Sequence, residues 1–340
     1  MNIKTEITKI HYNKNPKGFI FGLLKFCSVF YGIGSGFKNF LYDKNIIKSK
    51  NVEAFVISVG NLTTGGVGKT PVVAEISNYL LSKGEKVAIV SRGYGGKLSN
   101  KKINLISDGE KVYYNSKLSG DEPYWLSTNT KAVVVTSKNR YEAAKYAIKE
   151  FNVKYIILDD GFQHRKLHRD LDIVLSDSEK LFGNNNQLPA GPLRESESSI
   201  KRADKLILVS KNIDHTNAEN LKLDIEKHFN KKAYLCKTEP DYIYNIKTKE
   251  KLQPPSEIIC MTAIGQPEQF FGFLNDFDIK EKIVFDDHHL YSIEDIPNVD
   301  IPIVTTEKDA VKLKEFDYNN IYTLKLKTIL DVENLLKECI

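Results

Sequence analysis

The sequence predicts an α/β fold, a doubly wound and mostly parallel sheet built around a phosphate-binding loop, with a second, smaller α/β domain on a two-stranded linker. Three observations carry this reading. Apolar runs of strand length alternate with stretches of helical period through the first two thirds of the chain, the pattern of strands joined by crossover helices. Thr63-Thr64-Gly65-Gly66-Val67-Gly68-Lys69-Thr70 directly follows the apolar run 55–59 and opens into a helix-compatible stretch. Asp159-Asp160 stands at the end of a second buried-strand run, 154–158.

The N-terminal 45 residues come first. Residues 18–31 are strongly apolar and aromatic, but Lys25 interrupts them and the run is shorter than the ~20 residues a spanning helix needs. They lie far from Met1 and lack a small-residue cleavage site, so a signal peptide is not expected. Lys14, Lys17, Lys25, Lys38 and Lys44 surround Phe19, Phe26, Phe30, Phe37 and Phe40. That mixture suits a helix lying in a membrane interface, the rival being a helix packed on the core with its lysines reaching out.

Residues 46–231 read as the nucleotide domain. Strands are expected at 55–59, 86–90, 132–135, 154–158, 172–175 and 205–209, with helices at 71–81 and 141–150. Strand, glycine-rich turn and helix in that order aim backbone N–H groups and a helix N-terminus at an anion. Lys69 then reaches the β/γ-phosphates and Thr70 can hold Mg²⁺, the P-loop NTPase-type arrangement, although position 63 carries Thr where the usual spacing wants glycine. In an open parallel sheet ligands bind outside the carboxyl ends of the strands, so Asp159 and Asp160 should share the crevice of that loop and hold the metal.

Near Lys231 the pattern changes. Runs 233–238 and 242–246 flank Glu239-Pro240-Asp241 and read as a hairpin, making 232–255 a two-stranded linker. A smaller α/β domain, 256–340, is expected from runs at 258–262, 269–274, 282–285, 301–305 and 321–326.

Composition bounds the function. A chain of 340 residues with 41% hydrophobic and 27% charged residues is globular and long enough for two domains. Its net charge of +5 favours anionic ligands or an anionic membrane face and is far below that of nucleic-acid binders, so no nucleic acid partner is expected. Cys27, Cys236, Cys260 and Cys339 share no ligand-like spacing, which implies neither disulfides nor zinc and suits a reducing cytosol.

Four further segments fall at strand ends or loops: Ser91-Arg92-Gly93-Tyr94-Gly95-Gly96, Gly120-Asp121-Glu122-Pro123, Leu188-Pro189-Ala190-Gly191-Pro192-Leu193-Arg194-Glu195 and Asp286-Asp287-His288-His289. Together with the glycine-rich loop and Asp159-Asp160-Gly161-Phe162-Gln163-His164, they closely resemble the tetraacyldisaccharide 4′-kinase family of lipid A biosynthesis, from about Phe19 to Val311. The resemblance implies transfer of the γ-phosphoryl of ATP to the 4′-hydroxyl of the tetraacylated glucosamine disaccharide 1-phosphate, giving lipid IVA. It implies ATP and Mg²⁺ as cofactors, the cytoplasmic face of the bacterial inner membrane as location, and no obligatory protein partner.

Residue by residue, the resemblance assigns Thr63 to Thr70 to the nucleotide, Lys69 and Thr70 to phosphate and Mg²⁺, and Asp159 and Asp160 to the metal, with Gln163 and His164 close by. Asp121 is similar to the family's catalytic acidic residue and His288 to the histidine that pairs with it from the second domain. Such a couple is a base tuned toward neutral pH that domain closure would assemble. His289 is the rival imidazole. Arg140, Arg194 and Glu195 match family active-site positions, and Tyr94 and Glu122 lie in the matching segments. The glycine-rich loop also resembles that of membrane-associated partitioning and insertion-site ATPases, nucleotide-driven switches that carry a second lysine where this chain has Thr64. A P-loop kinase for another small hydroxyl compound is the remaining alternative.

Overall fold

The structure is a computed structural model describing residues 3–99, 101–211, 215–254, 256–265, 267–286 and 289–340. In chain order the elements are α1 (Ile3–Tyr12), α2 (Phe19–Asp43), β1 (Phe55–Asn61), α3 (Lys69–Ser82), β2 (Val87–Ser91), β3 (Asn104–Ser107), α4 (Ser116–Ser119), α5 (Asp121–Asn129), β4 (Val133–Thr136), α6 (Arg140–Phe151), β5 (Tyr155–Asp159), β6 (Leu171–Asp177) and β7 (Lys205–Ser210). They continue as α7 (Thr216–Phe229), β8 (Ala233–Asn245), β9 (Lys251–Leu252), β10 (Glu257–Thr262), α8 (Pro267–Gly272), β11 (Asp278–Val284), β12 (Ile303–Thr306), α9 (Glu307–Leu313), β13 (Ile321–Ile329) and α10 (Val332–Leu336).

Two compact units result, one of residues 1–210, 216–236 and 330–340, the other of 211–215 and 237–329. In the first, strand order is β3-β4-β2-β5-β1-β6-β7, parallel except for β3. Alternation along the strands feeds both faces of this sheet. Ile57, Val59 and Ile157 pack against Val72, Val73, Ile76 and Leu80 of α3. Val56, Ile156 and Leu158 pack against Ala143, Ala144 and Ala147 of α6 on the other side. Helices on both faces are what a parallel sheet requires, and they leave the carboxyl ends of β1, β2, β4 and β5 along one edge.

Several expectations are corrected. The stretch 233–246 is not a hairpin but is covered as far as Asn245 by one strand, β8, that runs through Pro240 and pairs antiparallel with β13, Asn245 opposite Tyr322 and Lys237 opposite Ile329. A register shift at Lys325/Leu326 lies opposite Pro240, where a ladder lacking one N–H tolerates a bulge. The last eleven residues, expected in the smaller domain, pack with the first unit, because Val332, Leu335 and Leu336 of α10 are buried in the core that α3 contributes to. The apolar N-terminal run is the start of a 25-residue helix, α2, and α1, β3 and α7 were not expected from the sequence.

The second unit has strand order β11-β10-β12-β13-β8, with β9 beside β8. Its core gathers Ile258, Cys260, Phe270, Phe271 and Leu274 on one face, and Ile259, Met261, Ile303, Leu313 and Ile321 on the other.

Placing α10 in the first unit is testable, because the single tryptophan, Trp125, packs on the same core as Leu335. Leu335→Ala should lower the stability read by Trp125 fluorescence in urea by about 2–5 kcal/mol. An unchanged Trp125 transition would return α10 to the other unit.

Candidate active site

The phosphate loop is shaped by its neighbours as much as by its glycines. Gly68 caps α3 in the left-handed region (φ 94°) with no side chain bonded to the first turn, which leaves backbone N–H groups at the helix start for an anion. Val67 is buried in the core and anchors the loop by its side chain, so only its backbone can face a ligand. Thr63 is buried as well, bridged to Leu193, while Thr64 N donates to Pro192 O (2.8 Å) and Arg194 N donates to Leu62 O (2.7 Å). The proline-rich loop 188–195 thus lies antiparallel against the entrance to the phosphate loop.

That arrangement delivers Arg194 to the carboxylate pair after β5. Arg194 Nη1 donates to both Asp160 oxygens at 2.9 and 2.8 Å, and Lys69 Nζ stands 3.4 Å from Asp160 Oδ1. Burial opposes ionisation of Asp160, but Lys69 and Arg194 outweigh it and hold its pKa below the usual carboxylate range. Lys69 also donates to Asn61 Oδ1 (3.1 Å), and Gln163 joins the cluster by donating to Asn61 O (3.0 Å). Asp160 has φ 53°, unusual for a residue with a side chain. The buried Arg140, at the start of α6, holds this turn by donating to the carbonyls of Asp159 (3.3 Å) and Asp160 (3.2 Å).

Asp159 is in a different condition. It is 2% exposed, Ser91 Oγ donates to its Oδ2 at 3.3 Å, and its Oδ1 has no hydrogen-bond partner among the described residues. Burial and then the Glu122 carboxylate push its pKa up to about 7. An ionised oxygen with no donor in so buried a place is unstable unless a cation supplies the missing charge.

The other expected residues divide. Gly96 and Gly120 bring the Arg92-bearing loop against the start of α5: a Cβ on Gly96 would lie 2.5 Å from Leu118 O, and one on Gly120 2.5 Å from Tyr94 O. This contact fixes Tyr94, which is exposed, beside Asp121 and Glu122 in the first turn of α5. Glu195 is not on the open edge but is 4% exposed, its Oε2 accepting from Asn39 (2.7 Å) and Arg202 (2.8 Å). His164 is half-buried, and burial together with Arg140 and Lys38 lowers its pKa to about 3, which keeps the imidazole neutral. In the second unit, His289 Nε2 bonds Asp295 Oδ2 (3.0 Å) and its ring stacks on Phe285 with centroids 4.5 Å apart. His288 lies outside the described residues. Asn61 was missed in the sequence; its only local signal is its place between a buried strand and the loop.

The profile described as "Tetraacyldisaccharide-1-P 4′-kinase" matches residues 20–340. The chain belongs to this kinase family. The tetraacyldisaccharide 4′-kinase of Halothermothrix orenii is 35% identical over 86% of this chain and 85% of its own, and that of Ruthia magnifica 36% identical over 96% and 98%. Among solved structures, LpxK from Aquifex aeolicus in complex with ATP superposes with a TM-score of 0.79 and 34% identity, covering 94% of this chain and 98% of that one. Thr63, standing where the usual spacing wants glycine, is explained by the burial of its side chain, since no glycine is needed where the backbone bridges Leu193.

Two substitutions probe this geometry. Lys69→Ala and Asp159→Asn should each lower kcat by roughly 10²–10³-fold, the cost of deleting one preorganised charge at a phosphoryl-transfer centre. Near-wild-type kcat in either would remove that side chain from the site.

Proposed function

We propose that this kinase transfers the γ-phosphoryl of ATP to the 4′-hydroxyl of tetraacylated glucosamine disaccharide 1-phosphate, giving lipid IVA in lipid A biosynthesis. The observation that carries it is the uncapped N-terminus of α3 behind Gly65-Gly66-Val67-Gly68, with Lys69 held beside it, in a chain of this family. Phosphoryl transfer asks for charge neutralisation and an aligned hydroxyl more than for covalent chemistry. Lys69, Arg194 and Arg140 are the cations assigned to that task.

A magnesium ion fits the donor set. Mg²⁺ is bound through one or two carboxylates plus substrate phosphates rather than by an all-protein cage. Among the described residues no group of three or more His, Cys, Asp or Glu forms such a cage, whereas the open Asp159 Oδ1 and the Thr70 hydroxyl supply what a phosphate-shared ion needs. When bound, it would neutralise charge on the phosphates. Asp160, already committed to Lys69 and Arg194, is assigned to placing those cations.

The proton acceptor is assigned to Asp121 and His288 acting as a unit. His289 is disfavoured because Asp295 and Phe285 already fix its imidazole. Asp121→Ala and His288→Ala should each lower kcat with little change in KM for ATP, and the double variant should be scarcely worse than the poorer single one. Multiplicative losses would separate the two residues.

The acceptor carries four acyl chains, so the enzyme must work at a membrane surface, assigned to the cytoplasmic face of the bacterial inner membrane. α2 supports this. None of its residues is buried, and Phe19, Phe26 and Phe30 are 89, 64 and 61% exposed. Its polar side is occupied: Ser28 donates to Gln187 O (2.8 Å), Tyr31 to Arg194 O (3.1 Å) and Lys38 to Gln163 O (3.0 Å). By length and composition the helix could cross a bilayer, but a helix docked along one side is suited to lying in the interface. Phe26→Ser with Phe30→Ser should move protein from membrane pellet to soluble fraction and raise KM for lipid more than KM for ATP. Unchanged sedimentation with a lowered Tm would make α2 a core helix. The whole reading is tested by incubating the protein with ATP, Mg²⁺ and the disaccharide: mass spectrometry should show a phosphorylated lipid, and ATP turnover indifferent to the lipid would defeat it.

A further inference from the structure

Helix α1 precedes the span that matches the family profile, yet it is bonded to both loops that form the phosphate site. The Tyr12 hydroxyl donates to Thr64 O at 3.2 Å, and the buried His11 imidazole donates from Nε2 to Pro189 O at 2.9 Å. Asn184 ties the end of α1 down, its Nδ2 donating to Ile10 O (3.0 Å) and its backbone amide to His11 O (2.8 Å). The same Nδ2 donates to Ala190 O (2.9 Å), so one amide group holds both α1 and the loop 188–195. Lys180 Nζ covers the Tyr12 ring, 4.8 Å from its centroid.

The bond to Thr64 bears on the ligand through peptide geometry. A peptide group is planar and trans, so fixing the Thr64 carbonyl fixes the Gly65 N–H on the opposite side of the same plane. Glycine rotates freely about its backbone bonds, and Gly65 (φ 109°) is followed by Gly66, so this peptide has little else to stop it from turning over. Thr64 N is already held by Pro192 O, and Tyr12 supplies the second restraint. We propose that α1 is a latch on the phosphate loop, with Tyr12 as a positioning residue that holds the Thr64–Gly65 peptide in its nucleotide-binding orientation and His11 as the anchor that seats Tyr12. This rests on the assignment of that loop to ATP.

The test uses the full-length protein with a non-hydrolysable ATP analogue and Mg²⁺, read by calorimetry, beside steady-state kinetics. Tyr12→Phe keeps the ring under Lys180 and deletes only the hydroxyl. It should weaken analogue binding and raise KM for ATP about 3–10-fold, the size of one lost hydrogen bond, with KM for lipid and Tm unchanged. His11→Ala should behave alike and His11→Gln, which keeps a donor toward Pro189, should recover most of the loss. Should Tyr12→Phe fail to fold, the His11 pair gives the same reading. Lys69→Ala separates the two failures. If Lys69→Ala loses the analogue while Tyr12→Phe and His11→Ala bind it like wild type, the latch is wrong and the ATP site stands. If Lys69→Ala binds like wild type, the ATP assignment itself falls. A fall in Tm with unchanged nucleotide affinity would also overturn the latch.

Discussion

Arg194 and Lys69 meet at the carboxylate of Asp160, and the three residues come from segments that are far apart in the chain. Each cation would repel the other without the shared acid, and the acid would stay protonated more readily without the cations. The energetic value of the pairs is modest because Asp160 remains about one third exposed, so their importance is positional. They hold the phosphate loop, the proline-rich loop and the end of β5 in one register. Arg140 secures the same turn from beneath through two backbone carbonyls, which offsets the cost of a positive φ at Asp160.

Two adjacent carboxylates therefore carry opposite environments. Asp160 has its oxygens engaged by cations and stays ionised, whereas Asp159 is buried, faces Glu122 and keeps one oxygen open. The division follows from where β5 ends: Asp159 is its last residue, buried in the sheet, whereas Asp160 is the first residue of the turn and its positive φ sends its side chain toward Lys69 and Arg194. Docking of α2 on the loop 188–195 and on Gln163 extends this organisation outward, so the helix proposed to meet the lipid surface bonds to residues adjoining the phosphate site.

Much of this was legible in the sequence. The phosphate loop, the Asp159-Asp160 pair and the strand-helix alternation are local patterns, and each is where its spacing placed it. What was not legible depends on partners distant in the chain. Pro240 reads locally as a turn, but pairing with β13 carries β8 straight through it. The residues 332–336 are too short a helix to assign by periodicity, and only burial against the α3 core shows where they belong. Glu195 sits in a family motif, but its bonds to Asn39 and Arg202 could not be read without the fold. Tyr12 and His11 carry no motif at all, and their bonds to Thr64 and Pro189 arise wholly from tertiary packing.

The central claim is that Asp159 takes the metal while Asp160 arranges the cations. Electron paramagnetic resonance of Mn²⁺ bound with ATP tests it most directly. Asp159→Asn should abolish or strongly weaken the bound Mn²⁺ signal at ATP concentrations that still saturate the protein, while Asp160→Asn should lower ATP affinity first and leave the Mn²⁺ signal intact once ATP is bound. The reverse pattern, with the metal lost in Asp160→Asn and kept in Asp159→Asn, would contradict it.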